Sequence, residues 1–257
     1  MNKVISFLLF LIILIGGLYW YWSMNVDSER LMTNGRMLET EKVVPLISES
    51  DVEYFVGAKG YFVRPATEAV YPGIVIIHEN RGLRPEILKM ADELAKEGYM
   101  VLAVDLLGAP VETQEQARAL TAGFDQAKGL ENMKAAVAYL KGKGAPKVAS
   151  LGWCFGGAQS LQLALSGQPM DATLIYYGRL ATTTTALAPI KWPVLGVFGS
   201  ADQSISTTSV AQFKGALDAL KIESEIYMYP GVGHAFANPS GMNYAPEATK
   251  DAWAKTV

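Results

Sequence analysis

A chain of 257 residues with a net charge of −3 is long enough to bury a substantial core in one domain, or at most two. The sequence has no basic cluster, so we expect no nucleic-acid partner, because phosphate binding needs concentrated Lys and Arg. One cysteine and two histidines exclude an intrachain disulfide framework, a thiolate metal cluster and a histidine-rich metal site.

The chain begins with a nearly unbroken apolar run, which covers residues 4–22 and contains no charge. At about 1.5 Å rise per residue, a helix of this length crosses a hydrocarbon core of roughly 30 Å. Lys3 before the run places the amino terminus in the cytoplasm, and aromatic residues at 19–22 form an interfacial belt. We therefore predict a transmembrane anchor in residues 1–25. The membrane is then a partner, and the rest of the chain is extracytoplasmic.

A cleaved signal peptide is the alternative interpretation of this segment. Its apolar region is normally shorter, and no small-x-small cleavage site follows the run here. The sequence therefore favours an uncleaved, single-pass anchor.

After the anchor, residues 26–48 have no clear hydrophobic period and are predicted to be a linker. Strands and helices then alternate through a domain at residues 49–257, which begins with an antiparallel hairpin at a sheet edge. The predicted strands are 52–55, 59–64, 73–78, 99–104, 148–151, 173–177, 194–198 and 225–229. The predicted helices are 85–98, 113–120, 130–143, 158–165, 206–220 and one from 245 onward.

This alternation predicts an α/β fold with a mostly parallel central sheet flanked by helices on both sides. The last helix stops at Val257, soon after it begins, so the sequence leaves open whether the C terminus is truncated.

A strand, a sharp turn and a helix meet at Gly152-Trp153-Cys154-Phe155-Gly156. A residue at the tip of such a turn has a strained backbone, and its side chain projects from the end of the sheet. Glycines two positions before and after are expected because a Cβ there would collide with neighbouring backbone. Cys154 is therefore a candidate nucleophile, if a base reaches it. The alternative is a small buried apolar residue, which is the usual role of a free cysteine.

Two further side chains follow predicted strands, at the sheet edge where such folds place their chemistry. Asp202 follows the strand at 194–198, and His234 follows the strand at 225–229. The order nucleophile, acid, histidine is that of α/β-hydrolases. His234 can take the thiol proton, and Asp202 can fix its tautomer. Asp105 also follows a strand, but we interpret it as a turn residue.

These motifs resemble the dienelactone hydrolase family from about residue 52 to the end. The similar segments are 77–82, 152–157, 176–178 and 233–236. The resemblance implies an α/β-hydrolase fold and hydrolysis of small esters by a Cys154-Asp202-His234 triad, without metal or other cofactor. The expected substrate is a small-molecule ester or lactone.

The resemblance also gives a role to residues that follow the strand at 73–78. It implies that Glu79 contacts the cysteine and controls its ionisation, because a carboxylate beside a thiol disfavours the thiolate and can take its proton. The alternative for Glu79 is a loop residue paired with Arg81. Backbone N–H groups of Phe155 and Asn80 are then the expected oxyanion donors. His78 is interpreted as a core histidine.

The sequence departs from the family where its dienelactone-cleaving members bind the substrate carboxylate. Ala235 and Asn238 stand in place of a serine and an arginine, and residues 106–110 lack a second arginine. Without this clamp, we expect an uncharged ester or lactone. The residues predicted to line the substrate pocket are Arg81, Trp153, Tyr177 and Phe236.

The first functional hypothesis is therefore a membrane-anchored carboxylic ester hydrolase. The alternative is a non-catalytic, membrane-tethered binding module on the same fold. A thiol redox sensor ranks last, because a resolving cysteine is missing. The sequence leaves the oligomeric state open.

Overall fold

The computed structural model describes residues 43–257 in full and, before them, the backbone of two short strands. These are β1 (Met32–Thr33) and β2 (Arg36–Met37), which pair antiparallel within the segment predicted to be a linker. The predicted anchor lies outside the described residues. Among the helices that the structure describes, none is long and apolar enough to cross a membrane.

The domain is built on one sheet of eight strands. They are β3 (Leu46–Phe55), β4 (Ala58–Pro65), β5 (Gly73–Ile77), β6 (Met100–Val104), β7 (Val148–Trp153), β8 (Ala172–Tyr176), β9 (Val194–Gly199) and β10 (Ser224–Tyr229). Their order across the sheet is β10-β9-β8-β7-β5-β6-β4-β3. The two pairs that include β4 are antiparallel and the other pairs of this sheet are parallel, which confirms the predicted architecture.

The strand order reverses beside β5, which pairs with β6 on one side and β7 on the other. Such a switch point leaves a crevice at the carboxyl ends of the two strands, where ligands bind in open α/β sheets. Ile77 at the end of β5 lies opposite Gly152 near the end of β7. The residues that follow these strands, Glu79 and Cys154, are thereby placed at one crevice.

Helices cover both faces of the sheet. They are α1 (Pro85–Lys96), α2 (Gln114–Ala122), α3 (Gln126–Gly142), α4 (Phe155–Leu165), α5 (Thr184–Leu187), α6 (Thr207–Ala219) and α7 (Pro246–Thr256). Val75 and Ile77 of β5 join a buried cluster with α3, α4 and α6, whereas Ile74 and Ile76 join a second cluster with α1 and α7. Because alternate strand residues point to opposite faces, these clusters are the two cores.

Three elements differ from the sequence-based prediction. β3 begins at Leu46 rather than at residue 52, since its ladder with β4 extends from Leu46. The prediction missed this first half because it is mostly exposed and shows no alternation of apolar and polar residues. α3 begins at Gln126 because the Asp125 carboxylate caps it by accepting from two backbone N–H groups. The short helix α5 was not expected.

Candidate active site

Cys154 lies at the turn between β7 and α4 with a φ of 53° and a ψ of −112°, a backbone conformation that is costly for a residue with a Cβ. The flanking glycines make this turn possible. A Cβ on Gly152 would lie 2.1 Å from the Gly156 carbonyl oxygen, and a Cβ on Gly156 would lie 2.1 Å from the Ile77 oxygen. The strained elbow is therefore present as predicted.

The structure brings the three predicted triad residues into one hydrogen-bonded chain. His234 Nε2 lies 3.1 Å from Cys154 Sγ, and His234 Nδ1 lies 2.8 Å from Asp202 Oδ2. Each residue follows a strand of the parallel part of the sheet, namely β7, β9 and β10. The imidazole thus has a carboxylate on one nitrogen and a thiol on the other.

The Asp202 carboxylate is held firmly for its contact with His234. Its side chain is fully buried, and Oδ1 accepts from the backbone N–H groups of Ser204 at 2.7 Å and Ile205 at 3.0 Å. Oδ2 is left to face the imidazole. These two hydrogen bonds fix the orientation of the carboxyl group, so Oδ2 is held in place to orient His234.

Glu79 follows β5 and lies close enough to Cys154 for its charge to act on the thiol. Its Oε2 accepts from Asn238 Nδ2, and its buried Oε1 has no hydrogen-bond partner among the described residues. Burial raises the pKa of the Glu79 carboxyl to about 7. The predicted alternative, an ion pair with Arg81, is not formed, although Arg81 does favour the ionised form.

The surroundings of Cys154 keep its thiol protonated near neutral pH. Burial, together with the negative charge of Glu79, raises its pKa to about 12, while a hydrogen bond from the Phe155 backbone N–H works in the opposite direction. Phe155 begins α4, where backbone N–H groups have no acceptor within the helix. The N–H predicted to stabilise an oxyanion therefore lies near the sulfur.

A cavity of about 540 Å³ opens onto Cys154 and His234. Arg81 and Trp153 line it, as predicted, and so does Asn80. Tyr177 and Phe236 are 1% and 0% exposed and do not line it. They pack behind the site, where the Tyr177 ring lies edge-on 5.3 Å from the His234 ring. Their prediction as pocket walls was wrong, because the apolar core takes both rings.

The other histidine and its neighbouring aspartate serve the fold. His78 is fully buried, and its Nε2 accepts from the Leu106 backbone N–H at 3.1 Å. Its Nδ1 therefore carries the proton and donates to the Glu79 carbonyl oxygen at 2.6 Å. Asp105 Oδ1 accepts from two backbone N–H groups of the following turn. Both residues have the structural roles that were predicted.

No group of three His, Cys, Asp or Glu side chains in the described part of the chain is arranged to hold a metal ion.

A model of the dienelactone hydrolase family matches residues 58–257. The chain belongs to the dienelactone hydrolase family. It is a carboxylic ester hydrolase of that family. A Methylorubrum extorquens protein provisionally named carboxymethylenebutenolidase is 30% identical over 211 residues, which cover 75% of this chain and 72% of that protein. A Saccharolobus solfataricus protein with the same provisional name is 28% identical, and the match covers 85% of that protein.

Solved structures of this family have the same α/β-hydrolase fold. The provisionally named dienelactone hydrolase of Klebsiella pneumoniae is similar with a TM-score of 0.75 and 24% identity, over 82% of this chain and 97% of that one. A metagenomic protein, the dienelactone hydrolase-like promiscuous phosphotriesterase P91, has a TM-score of 0.75 and 25% identity, over 82% of this chain and 95% of that one.

Sequence reasoning missed part of the cavity wall of this dienelactone hydrolase family member. Arg84 and Gln114 line the cavity near α1 and α2, and residues 240–243 line it beyond His234. The contact between Asn238 and Glu79 was also not predicted. The two residues are far apart in the sequence, and no local pattern links them.

Proposed function

We propose that the protein hydrolyses a small carboxylic ester or lactone with Cys154 as nucleophile, through an acyl-thioester. The observation that carries this proposal is the continuous contact from Cys154 Sγ to His234 at 3.1 Å and from His234 to Asp202 at 2.8 Å. Nucleophile, base and orienting carboxylate are thus at hydrogen-bonding distances before substrate arrives.

In the proposed reaction, His234 Nε2 takes the thiol proton as the sulfur attacks the acyl carbon. Negative charge on the carbonyl oxygen is stabilised by the backbone N–H groups of Phe155 and Asn80. When the ester C–O bond breaks, the leaving alkoxide takes the proton from His234, and the acyl group remains on Cys154. Water then gives its proton to His234 and attacks the thioester, which releases the acid and restores the thiol.

Glu79 is proposed to control when the thiolate forms. In its ionised form it disfavours a second negative charge on the adjacent sulfur, and in its neutral form it does not. Because the Glu79 pKa is about 7, both forms are present near neutral pH. Burial and the charge of Glu79 raise the pKa of the resting thiol to about 12, so the thiol stays protonated and unreactive. A substrate that alters the surroundings of Glu79 and Cys154 would then allow the thiolate to form.

We further propose that the substrate is uncharged. Asn238, at the position of one missing arginine, already donates its amide to Glu79, and Ala235 has no polar side chain. The cavity wall also includes apolar surface from Ile87, Met90 and Trp153. Besides Arg81, the cavity wall contains Arg84, whose guanidinium donates hydrogen bonds to the carboxylates of Glu86 and Glu112.

The test is the hydrolysis of 4-nitrophenyl acetate by the full chain in detergent. We expect Cys154→Ala and His234→Ala each to lower kcat/KM by roughly 10⁴-fold or more, as when a member of a triad is removed. Circular dichroism establishes that each variant is folded. Wild-type turnover by folded Cys154→Ala protein would contradict the mechanism. Absence of any turnover by the wild type across an ester and lactone panel would favour the binding module.

We also propose that residues 4–22 anchor the protein in a membrane, with the domain outside the cytoplasm. The charge-free apolar run and the lysine before it support this placement. Extraction of cell membranes with alkaline carbonate should leave the protein in the pellet. Protease added to intact spheroplasts should digest the domain, and survival of the domain would contradict the proposed orientation.

A further inference from the structure

The amide of Asn238 has a defined orientation at the edge of the cavity. Its Oδ1 accepts from the backbone N–H of Ser240 at 2.9 Å and from the Ser240 hydroxyl at 2.8 Å. Because Oδ1 faces these two donors, Nδ2 is the group that faces Glu79. The contact is therefore an N–H donated to a carboxyl oxygen, between residues that lie 159 positions apart in the sequence.

Glu79 has few alternatives to this bond. Within the described residues, Oε1 is buried without a hydrogen-bond partner, and so is the Tyr177 hydroxyl. Arg81 and Glu86 act on the Glu79 carboxyl through charge alone, with opposite signs, and the nearby Cys154 thiol would become negative on ionisation. The Tyr177 hydroxyl lies near enough to the Glu79 carboxyl to favour its ionised form, but it does not reach hydrogen-bond geometry. Asn238 is thus the side chain whose donor meets that geometry and fixes the position of the carboxyl.

We infer that Asn238 is a positioning residue, which holds the Glu79 carboxyl beside Cys154 and joins it to the turn at residues 238–241. This inference rests on the proposed function, in which Glu79 controls the ionisation of the nucleophile. The turn is closed by the hydrogen bond from Gly241 N–H to Asn238 O at 2.9 Å, and Ser240 and Gly241 line the cavity. A ligand that displaces this turn would therefore also displace the donor from Glu79.

A purely structural role for Asn238 makes a different prediction. If its side chain served the turn alone, the acceptor Oδ1 would be the important atom. Asn238→Asp keeps an acceptor oxygen for Ser240 and replaces the donor that faces Glu79 by a second carboxylate oxygen. A like charge at hydrogen-bonding distance strongly raises the pKa of its neighbour. The substitution therefore separates the two roles.

The readout is the rate of Cys154 alkylation by iodoacetamide as a function of pH, measured on the full chain in detergent. The protein has one cysteine, so the modification reports on this thiol alone. The inflection due to Glu79 is the one that disappears in Glu79→Gln. We expect this inflection to move to higher pH by at least about one unit in Asn238→Asp. It should stay in place in Ser240→Ala, which weakens the turn and leaves the donor to Glu79.

The inference is overturned if the inflection of folded Asn238→Asp coincides with that of the wild type, or if Glu79→Gln removes no inflection. Should Asn238→Asp fail to fold, Asn238→Leu removes the donor without adding charge, and its inflection must shift in the same direction by a smaller amount. Ester hydrolysis is measured alongside. Cys154-dependent turnover with an unmoved inflection refutes this inference alone, whereas turnover that persists in Cys154→Ala refutes the proposed function.

Discussion

The two histidines of the chain each follow a strand of the same sheet and each lie near an aspartate, yet their surroundings differ. His234 Nδ1 lies 2.8 Å from Asp202, and its Nε2 faces the Cys154 sulfur. His78 Nε2 lies 3.8 Å from Asp105, but both of its ring nitrogens are bonded to backbone groups. The His234 side chain is 26% exposed and that of His78 is fully buried.

The comparison shows that a histidine beside an aspartate is not sufficient for proton transfer. His78 Nε2 accepts from a backbone N–H that cannot give up its proton, so that nitrogen has no free lone pair for a substrate. His234 Nε2 instead faces a thiol whose proton can leave. His78 and Asp105 therefore fix the loops that follow β5 and β6, whereas the geometry at His234 leaves Nε2 able to exchange a proton with the thiol.

The largest expected difference concerns the two aspartates. Asp202→Asn replaces the carboxylate that orients the imidazole and would stabilise the imidazolium formed during the reaction, so we expect kcat to fall by about 10³- to 10⁴-fold, as for the equivalent change in a triad. Asp105→Asn keeps an oxygen for the turn hydrogen bonds and should retain kcat within about threefold. Ester hydrolysis by the two folded variants checks this. Equal losses would show that the pairs are not distinct.

The two histidines should give the opposite result in stability. His78→Leu leaves the partly buried Leu106 N–H without an acceptor and removes a fully buried ring stacked on Phe155, so we expect the free energy of unfolding to fall by about 2 to 4 kcal/mol. His234→Asn removes a partly exposed ring but places an amide donor near the position of Nδ1, so the buried Asp202 Oδ2 keeps a partner, and it should change the free energy of unfolding by less than about 1 kcal/mol. Urea denaturation measures both, and a larger loss in His234→Asn would contradict the assignment.

Glu79 connects the pairs, because its carbonyl oxygen accepts from His78 and its carboxyl lies beside Cys154. Burial raises its pKa from 4.5 to about 7, so between these values the folded protein binds the proton more tightly than the unfolded chain. This contribution to stability is complete below about pH 4.5 and is lost as the pH rises through 7.

Glu79→Gln should therefore remove a fall of about 3 kcal/mol in the free energy of unfolding between those two pH values. The measurement compares urea denaturation of wild type and variant at both ends of the range. Parallel pH dependences in the two proteins would show that the Glu79 pKa is not raised.

The sequence predicted the triad because each member follows a strand and the chain order is specific. The elbow glycines added a steric requirement that the structure confirms at Gly152 and Gly156. The buried strands were also predictable, since continuous apolar runs such as residues 73–77 leave little ambiguity. Local patterns and chain order were thus sufficient for the parallel strands and for placing Cys154, Asp202 and His234 after three of them.

Other features depended on contacts that no local pattern contains. Tyr177 and Phe236 flank the triad in the sequence motifs, but whether a ring faces the cavity or the core is decided by packing. The bond from Asn238 to Glu79 joins the loop after β10 to the loop after β5. The first half of β3 is mostly exposed, so its pairing with β4, rather than its own composition, makes it a strand.

The most direct test of the central claim is to trap the acyl group on the chain. The full protein is mixed with 4-nitrophenyl acetate, quenched in acid within the first turnover, and digested for mass spectrometry. We predict an acetyl group on the peptide that contains Cys154 and its absence in His234→Ala. Hydrolysis by the wild type without this adduct, together with a wild-type rate in folded Cys154→Ala protein, would contradict a covalent mechanism at Cys154.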